Sequence, residues 1–224
     1  MIKGFLFDMD GTVFDTERVY KESWHEVSKE LGYDIPDQLL DMMRGSSRQS
    51  AIKIFNDFYG DDPHDYVEAR QLREVVADRR LREGGVPLKP GARELTTYLR
   101  DKGINLALAT STYRPVVDFY LSDSGMEDVF DLIITGDMIE RGKPEPDIFI
   151  RAARELGLEP SECVICEDSL NGIIAGRRSG ARVYYIPDLN DISKEELELY
   201  TDGTFQSLTD MLAFISGSGD TFFL

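Results

Sequence analysis

Asp8 and Asp10 stand two residues apart where an apolar run, residues 2–7, meets Gly11 and Thr12. A strand apolar on nearly every position reads as buried on both faces, and its carboxyl end is where open parallel sheets bind ligands. Side chains two apart on extended backbone point the same way, so extension through Asp10 would turn both acids into one pocket. Gly11 permits a sharp exit from the strand, and Thr12 adds a hydroxyl beside the acids. Neighbouring carboxylates repel each other, and a shared proton or a cation sustains them. A hard, oxygen-preferring divalent ion suits the pair. Asp and Gly are also common in solvated turns, but the apolar run before them and the Gly-Thr step set this stretch apart.

Later apolar runs also end in groups suited to phosphoryl chemistry. Residues 104–109 lead into Thr110, Ser111 and Thr112, whose hydroxyls and amides can bind phosphate oxygens or cap a helix. Lys143 lies in Gly142-Lys143-Pro144-Glu145-Pro146, a rigid approach to a helix. Residues 163–166 run into Glu167-Asp168, a second acidic pair. Residues 136–143 loosely suggest a P-loop. That reading fails, because the spacing is one residue too long, Pro144 stands where Ser or Thr is needed, and no strand-to-helix glycine turn surrounds it.

These groups need a scaffold, and the hydrophobic periodicity supplies one. After the first strand, helical patterns follow in succession: residues 17–31, capped by Thr16; a helix capped by Ser46 or Ser47 carrying Ala51, Ile54, Phe55 and Phe58; and residues 64–81. Residues 84–87 read as a return linker. From Pro90 onward strand and helix alternate, the sign of a parallel α/β sheet. A helix opens at Pro90-Gly91 and ends near Gly103; strands are expected at 104–109, 132–134, 164–166 and 182–186, with helices at 145–157 and 171–179. Residues 216–224 read as a flexible tail whose apolar end frays or straps the core.

The segment FDMDGTVFDTE, residues 7–17, resembles the first motif of the haloacid dehalogenase superfamily, whose nucleophile is the first Asp of DxDG(T/V). Residues 107–110 (ALAT), 142–149 (GKPEPDIF) and Glu167-Asp168 resemble its second, third and fourth motifs. The resemblance implies a doubly wound, mainly parallel Rossmann-like α/β core, residues 1–15 and 86–224, with an inserted all-helical cap, residues 16–85. It implies that Asp8 attacks phosphorus, that Asp10 protonates the leaving alcohol and then activates water, and that Lys143 offsets negative charge. Thr110, with Ser111 following it, would hold phosphate oxygens. Mg²⁺ would be held by Asp8, the Asp10 main-chain carbonyl and Asp168, with Glu167 ligating directly or through water.

Dehalogenating members lack the second acid and use no metal, so Asp10 and Glu167-Asp168 favour phosphate esters. The cap arrangement is similar to that of β-phosphoglucomutase and its phosphatase relatives, with Arg48 and Arg44 matching the phosphate-contacting region. In the mutase a cap histidine follows the Asp-Thr dipeptide by four residues; Tyr20 stands there instead and handles protons poorly at neutral pH. The expected function is therefore a Mg²⁺-dependent phosphatase for a small phosphorylated metabolite, with a sugar-phosphate mutase as the alternative. A receiver-like module storing phosphate on Asp8 is the alternative of another class, although it needs no helical insertion.

The 224 residues are 42% hydrophobic, enough for a sizeable core plus an insertion. Forty-two acidic against 25 basic side chains give a formal charge of −17, which argues against nucleic acid or an anionic membrane as partner. A phosphate site in such a chain must carry its own local cations. The start is unlike a signal peptide, and cytoplasm is the expected compartment. Cys163 and Cys166 form a CxxC inside an apolar run and read as buried strand cysteines. His25 and His64 are lone histidines without an assigned role, and oligomeric state is not readable.

Overall fold

A computed structural model describes residues 1–43, 48–60, 64–189 and 191–223, without the side chains of Arg48 and Asp220. The chain divides into two compact units, one of residues 1–15 and 86–224 and the other of residues 16–85.

The first unit is built on a six-stranded sheet: β1 (Gly4–Phe7), β2 (Asn105–Ala109), β3 (Leu132–Ile134), β4 (Cys163–Glu167), β5 (Arg182–Tyr185) and β6 (Gly203–Thr204). Its order is β3-β2-β1-β4-β5-β6, and every pair is parallel. β1 is central, with Phe7 opposite both Leu108 of β2 and Cys166 of β4. Both faces are covered, which explains why β1 and β4 are apolar along nearly their whole length. On one face Leu6, Ile165 and Val183 pack with Ile148, Phe149 and Ile173, the last three drawn from helices that follow β3 and β4. Each such fully buried side chain contributes about 1.5–3 kcal/mol.

The second unit is helical: α1 (Thr16–Leu31), α2 (Asp37–Met43), α3 (Arg48–Tyr59) and α4 (Tyr66–Gly84). Trp24, Val27, Leu39, Phe55 and Tyr66 form a core of its own. α2 departs from the sequence expectation; its seven residues are too few for helical periodicity to stand out. α4 starts at Tyr66, because the Asp65 carboxylate caps it by accepting from the amides of Val67 and Glu68 at 2.7 and 3.2 Å. Ser46 and Ser47, the expected caps, lie outside the described residues.

In the first unit the linking helices are α5 (Ala92–Asp101), α6 (Arg114–Ser124), α7 (Asp147–Glu155), α8 (Leu170–Ser179), α9 (Lys194–Tyr200) and α10 (Leu208–Ser218). α6, α9, β6 and α10 add to the elements read from the sequence. The tail is a strap: α10 runs on to Ser218, a short 3₁₀ segment follows, and the Ile2 amide donates to the Phe223 carbonyl at 2.6 Å. Among the described residues no helix is long and apolar enough to cross a membrane.

Candidate active site

At the carboxyl end of β1 the ladder persists one residue beyond the strand, the Asp8 amide donating to the Cys166 carbonyl at 3.0 Å. The chain then turns sharply. Gly11 takes a φ of 83°, and the amides of Val13 and Phe14 both donate to the Met9 carbonyl. Any side chain at position 11 would strain that backbone and overlap the Asp168 carboxylate.

Asp8 is buried, and its Oδ1 accepts from Lys143 Nζ. The same ammonium donates to Glu167 Oε1 at 2.7 Å and to the Ala109 carbonyl at 3.2 Å. Lys143 thus ties together the carboxyl ends of β1, β2 and β4, three adjacent strands. It reaches them from the proline-rich approach to α7 and lies over the Phe149 ring, 4.9 Å from its centre. Glu167 is held from its other side: Oε2 accepts from the Ser169 amide at 2.7 Å and the Ser169 hydroxyl at 2.9 Å. Gly172 leaves the space that Glu167 fills, since a Cβ there would overlap its carboxylate.

Asp10 is half-buried and accepts at Oδ2 from the Thr112 hydroxyl at 2.7 Å. Thr110 is buried, with its hydroxyl oxygen accepting from the Thr112 amide at 3.0 Å, whereas Ser111 is exposed. Asp168, also buried, accepts weakly at Oδ1 from the Thr12 hydroxyl at 3.4 Å. Arg44 and the side chain of Arg48 lie outside what the structure describes.

Burial pushes the Asp8 carboxyl up to about 8; Lys143 pulls it down, while Glu167 and Asp10 push it further up. Burial opposes charge on Lys143, but Asp8 and Glu167 outweigh it and hold the ammonium protonated. Burial also pushes the Tyr185 hydroxyl up to about 12, with Asp168 and then Asp188 adding to the shift.

Among the described residues no three His, Cys, Asp or Glu side chains form a ready-made metal cage. The donors at these strand ends are nevertheless all oxygen, and their negative charge exceeds what Lys143 can balance. That fits Mg²⁺, which keeps several waters and takes only one or two carboxylates from the protein. Asp8, Asp168 and the Asp10 carbonyl are the residues suited to hold it. Glu167 already engages both of its oxygens with Lys143 and Ser169.

Residues 2–180 match the haloacid dehalogenase-like hydrolase family. The chain belongs to that family. It is an enzyme of the hydrolase class. Hexitol phosphatase A of Escherichia coli (strain K12) is 30% identical over 197 residues, which cover 85% of this chain and 88% of that protein. A phosphorylated carbohydrates phosphatase of Thermotoga maritima is 29% identical over 192 residues, 85% and 88% of the two chains. A solved β-phosphoglucomutase from Clostridium difficile superposes with a TM-score of 0.75 at 21% identity over 99% of each chain, a likeness of fold.

Three contributors to this constellation were not singled out in the sequence: Thr112 on Asp10, Ser169 on Glu167, and Asp188. Thr112 was visible only as part of a hydroxyl cluster. Asp188 had a signal that could have found it, since it follows the strand expected at 182–186 as another polar strand end.

The helical unit holds a cavity of about 180 Å³, lined in part by Tyr20, Trp24, Arg70 and Arg73. The Arg73 guanidinium lies 4.4 Å from the Tyr20 ring centre. His25 bonds Asp37 at 2.7 Å, and His64 stacks on Tyr33 with ring centres 3.6 Å apart.

Proposed function

We propose that this hydrolase is a Mg²⁺-dependent phosphatase acting on a small phosphorylated metabolite, of the sugar-phosphate class, through an aspartyl-phosphate on Asp8. The observation that carries this is the buried Asp8–Lys143–Glu167 cluster at the carboxyl end of the central strand. Two phosphatases of phosphorylated polyols or carbohydrates among its relatives support the substrate class. Cytoplasm as its compartment and the roles of the individual residues belong to the same reading.

Asp8 attacks phosphorus in line with the leaving oxygen. Lys143 offsets the repulsion between carboxylate and phosphate, and Glu167 keeps the ammonium aimed. Asp10, oriented by Thr112, gives its proton to the departing alcohol as the bond to phosphorus breaks. The ionised Asp10 then takes a proton from water, which attacks the acyl phosphate and frees Asp8 and inorganic phosphate. Thr110 and the amides after it hold the non-bridging oxygens. Asp8, Asp168 and the Asp10 carbonyl would hold Mg²⁺, which would supply further neutralisation of phosphate charge.

The deciding experiment incubates the protein with a panel of hexitol and sugar monophosphates, with Mg²⁺ or with EDTA, and follows phosphorus by NMR. Inorganic phosphate released over many turnovers, and only with Mg²⁺, is the expected result. Isomerised sugar phosphate outpacing release would make the protein a mutase, and Tyr20 argues against that outcome. A single stoichiometric phosphorylation without turnover would make it a receiver-like module.

A further inference from the structure

Where the chain rejoins the first unit, it pairs with the loop after β1. Phe14 bridges Leu88, the Asp15 amide donates to the Pro87 carbonyl at 2.9 Å, and the Lys89 amide donates to the Val13 carbonyl at 2.9 Å. Lys89 is thereby fixed, and its Nζ donates to Asp188 Oδ1 at 2.6 Å, with the two side chains 13% and 4% exposed. Asp188 follows β5, the strand next to β4.

The second oxygen, Asp188 Oδ2, is buried and has no hydrogen-bond partner among the described residues. It closes on Gly11, where an added Cβ would stand 3.0 Å away from it. The same Cβ would overlap the Asp168 carboxylate, so two acids from neighbouring strand ends converge on one face of the loop that carries Asp10. A buried carboxylate oxygen left unpaired by the protein calls for an explanation, and an ordered water or an ion supplies one. Lys89 holds the opposite oxygen and so aims Asp188 without satisfying it.

We propose that Asp188, held by Lys89, is a positioning residue of the divalent-cation site: Oδ2 accepts a hydrogen bond from a water carried by the ion that Asp168 ligates. This rests on the Mg²⁺ reading above. Mg²⁺ retains several of its waters, and protein groups that fix such waters tune affinity from outside the ligand set.

The test uses the full chain and Mn²⁺ as the probe, with free ion measured by electron paramagnetic resonance and thermal melting recorded in parallel. Asp188→Asn should weaken Mn²⁺ binding about 10- to 100-fold. The Mg²⁺ concentration for half-maximal activity should rise by the same factor. Lys89→Met should weaken binding in the same direction, and Lys89→Arg should restore it. Wild-type Mn²⁺ affinity in both Asp188→Asn and Lys89→Met overturns the proposal, and a lowered melting temperature alone would reduce the pair to a strut. If the wild-type protein binds no Mn²⁺, the Mg²⁺ reading itself falls. Binding by wild type that the variants leave untouched sinks only the role of Asp188.

Discussion

The two units use charge in opposite ways. In the α/β unit Lys143, 7% exposed, sits between Asp8 at 11% and Glu167 at 1%. In the helical unit the ion pairs are open or half-open to solvent: Lys53 with Asp57 at 2.5 Å, Arg82 with Asp78 at 2.8 Å, and, half-exposed, Arg80 with Glu26 at 3.0 Å. Hydrogen bonds from Arg79 and then Arg80 lower the Glu26 carboxyl, yet water screens such pairs and side-chain entropy opposes them. A buried cluster is different in kind. Its desolvation is so costly that packed hydrophobic residues often stabilise a protein more, so its presence at a strand-end site speaks for chemistry rather than stability.

That contrast can be broken experimentally, and the largest effect is expected at Asp8. Asp8→Asn should cut Mg²⁺-dependent phosphate release by more than about a thousandfold, because the proposed nucleophile is gone while the hydrogen-bonding shape remains. The same variant reads the cost of burial. Between the ordinary 3.8 and about 8, folded Asp8 keeps a proton that the unfolded chain has released. Stability of the metal-free protein therefore falls as pH rises through that window. Melting curves of wild type and Asp8→Asn should diverge toward pH 8, with the variant higher; equal gaps at pH 5 and pH 8 would refute the linkage.

Lys143→Met ranks second. It strands two buried carboxylates and should cost about 3–5 kcal/mol in urea unfolding at pH 8, together with most of the activity. Thr112→Val should lower kcat/KM by about 10- to 100-fold, the value of one hydrogen bond to a charged group, with little change in melting. A loss concentrated in substrates with poor leaving groups would tie Thr112 to proton delivery by Asp10. Glu26→Ala, at the exposed end of the comparison, should change neither melting nor turnover measurably.

Much of this was legible beforehand. The strand preceding Asp8, the polar ends of β2 and β4, and the helical insertion followed from apolar periodicity and motif spacing. Extension was expected to turn Asp8 and Asp10 into one pocket. The strand itself ends at Phe7, and the two acids take different partners, Asp8 meeting Lys143 and Asp10 meeting Thr112. Their proximity survives as Asp10's upward push on Asp8. The CxxC reading is accounted for by burial: both thiols are free and buried, Cys163 is pushed up to about 12, and Cys166 is pushed up too. β6 and α2, of two and seven residues, complete too few periods to stand out, and the eleven-residue α6 and α10 were also not read.

Alone, the sequence determined which residues could carry phosphoryl chemistry, because an apolar strand followed by Asp-x-Asp-Gly-Thr is a local statement about burial and backbone. The tertiary structure decided which side chains meet. Lys143 meets Asp8 across 135 positions, Thr112 meets Asp10 across 102, and Lys89 meets Asp188 across 99. No local pattern encodes such pairings. They exist only once the parallel order β3-β2-β1-β4-β5-β6 sets the strand ends side by side, and burial there makes each unpaired charge too costly to leave alone.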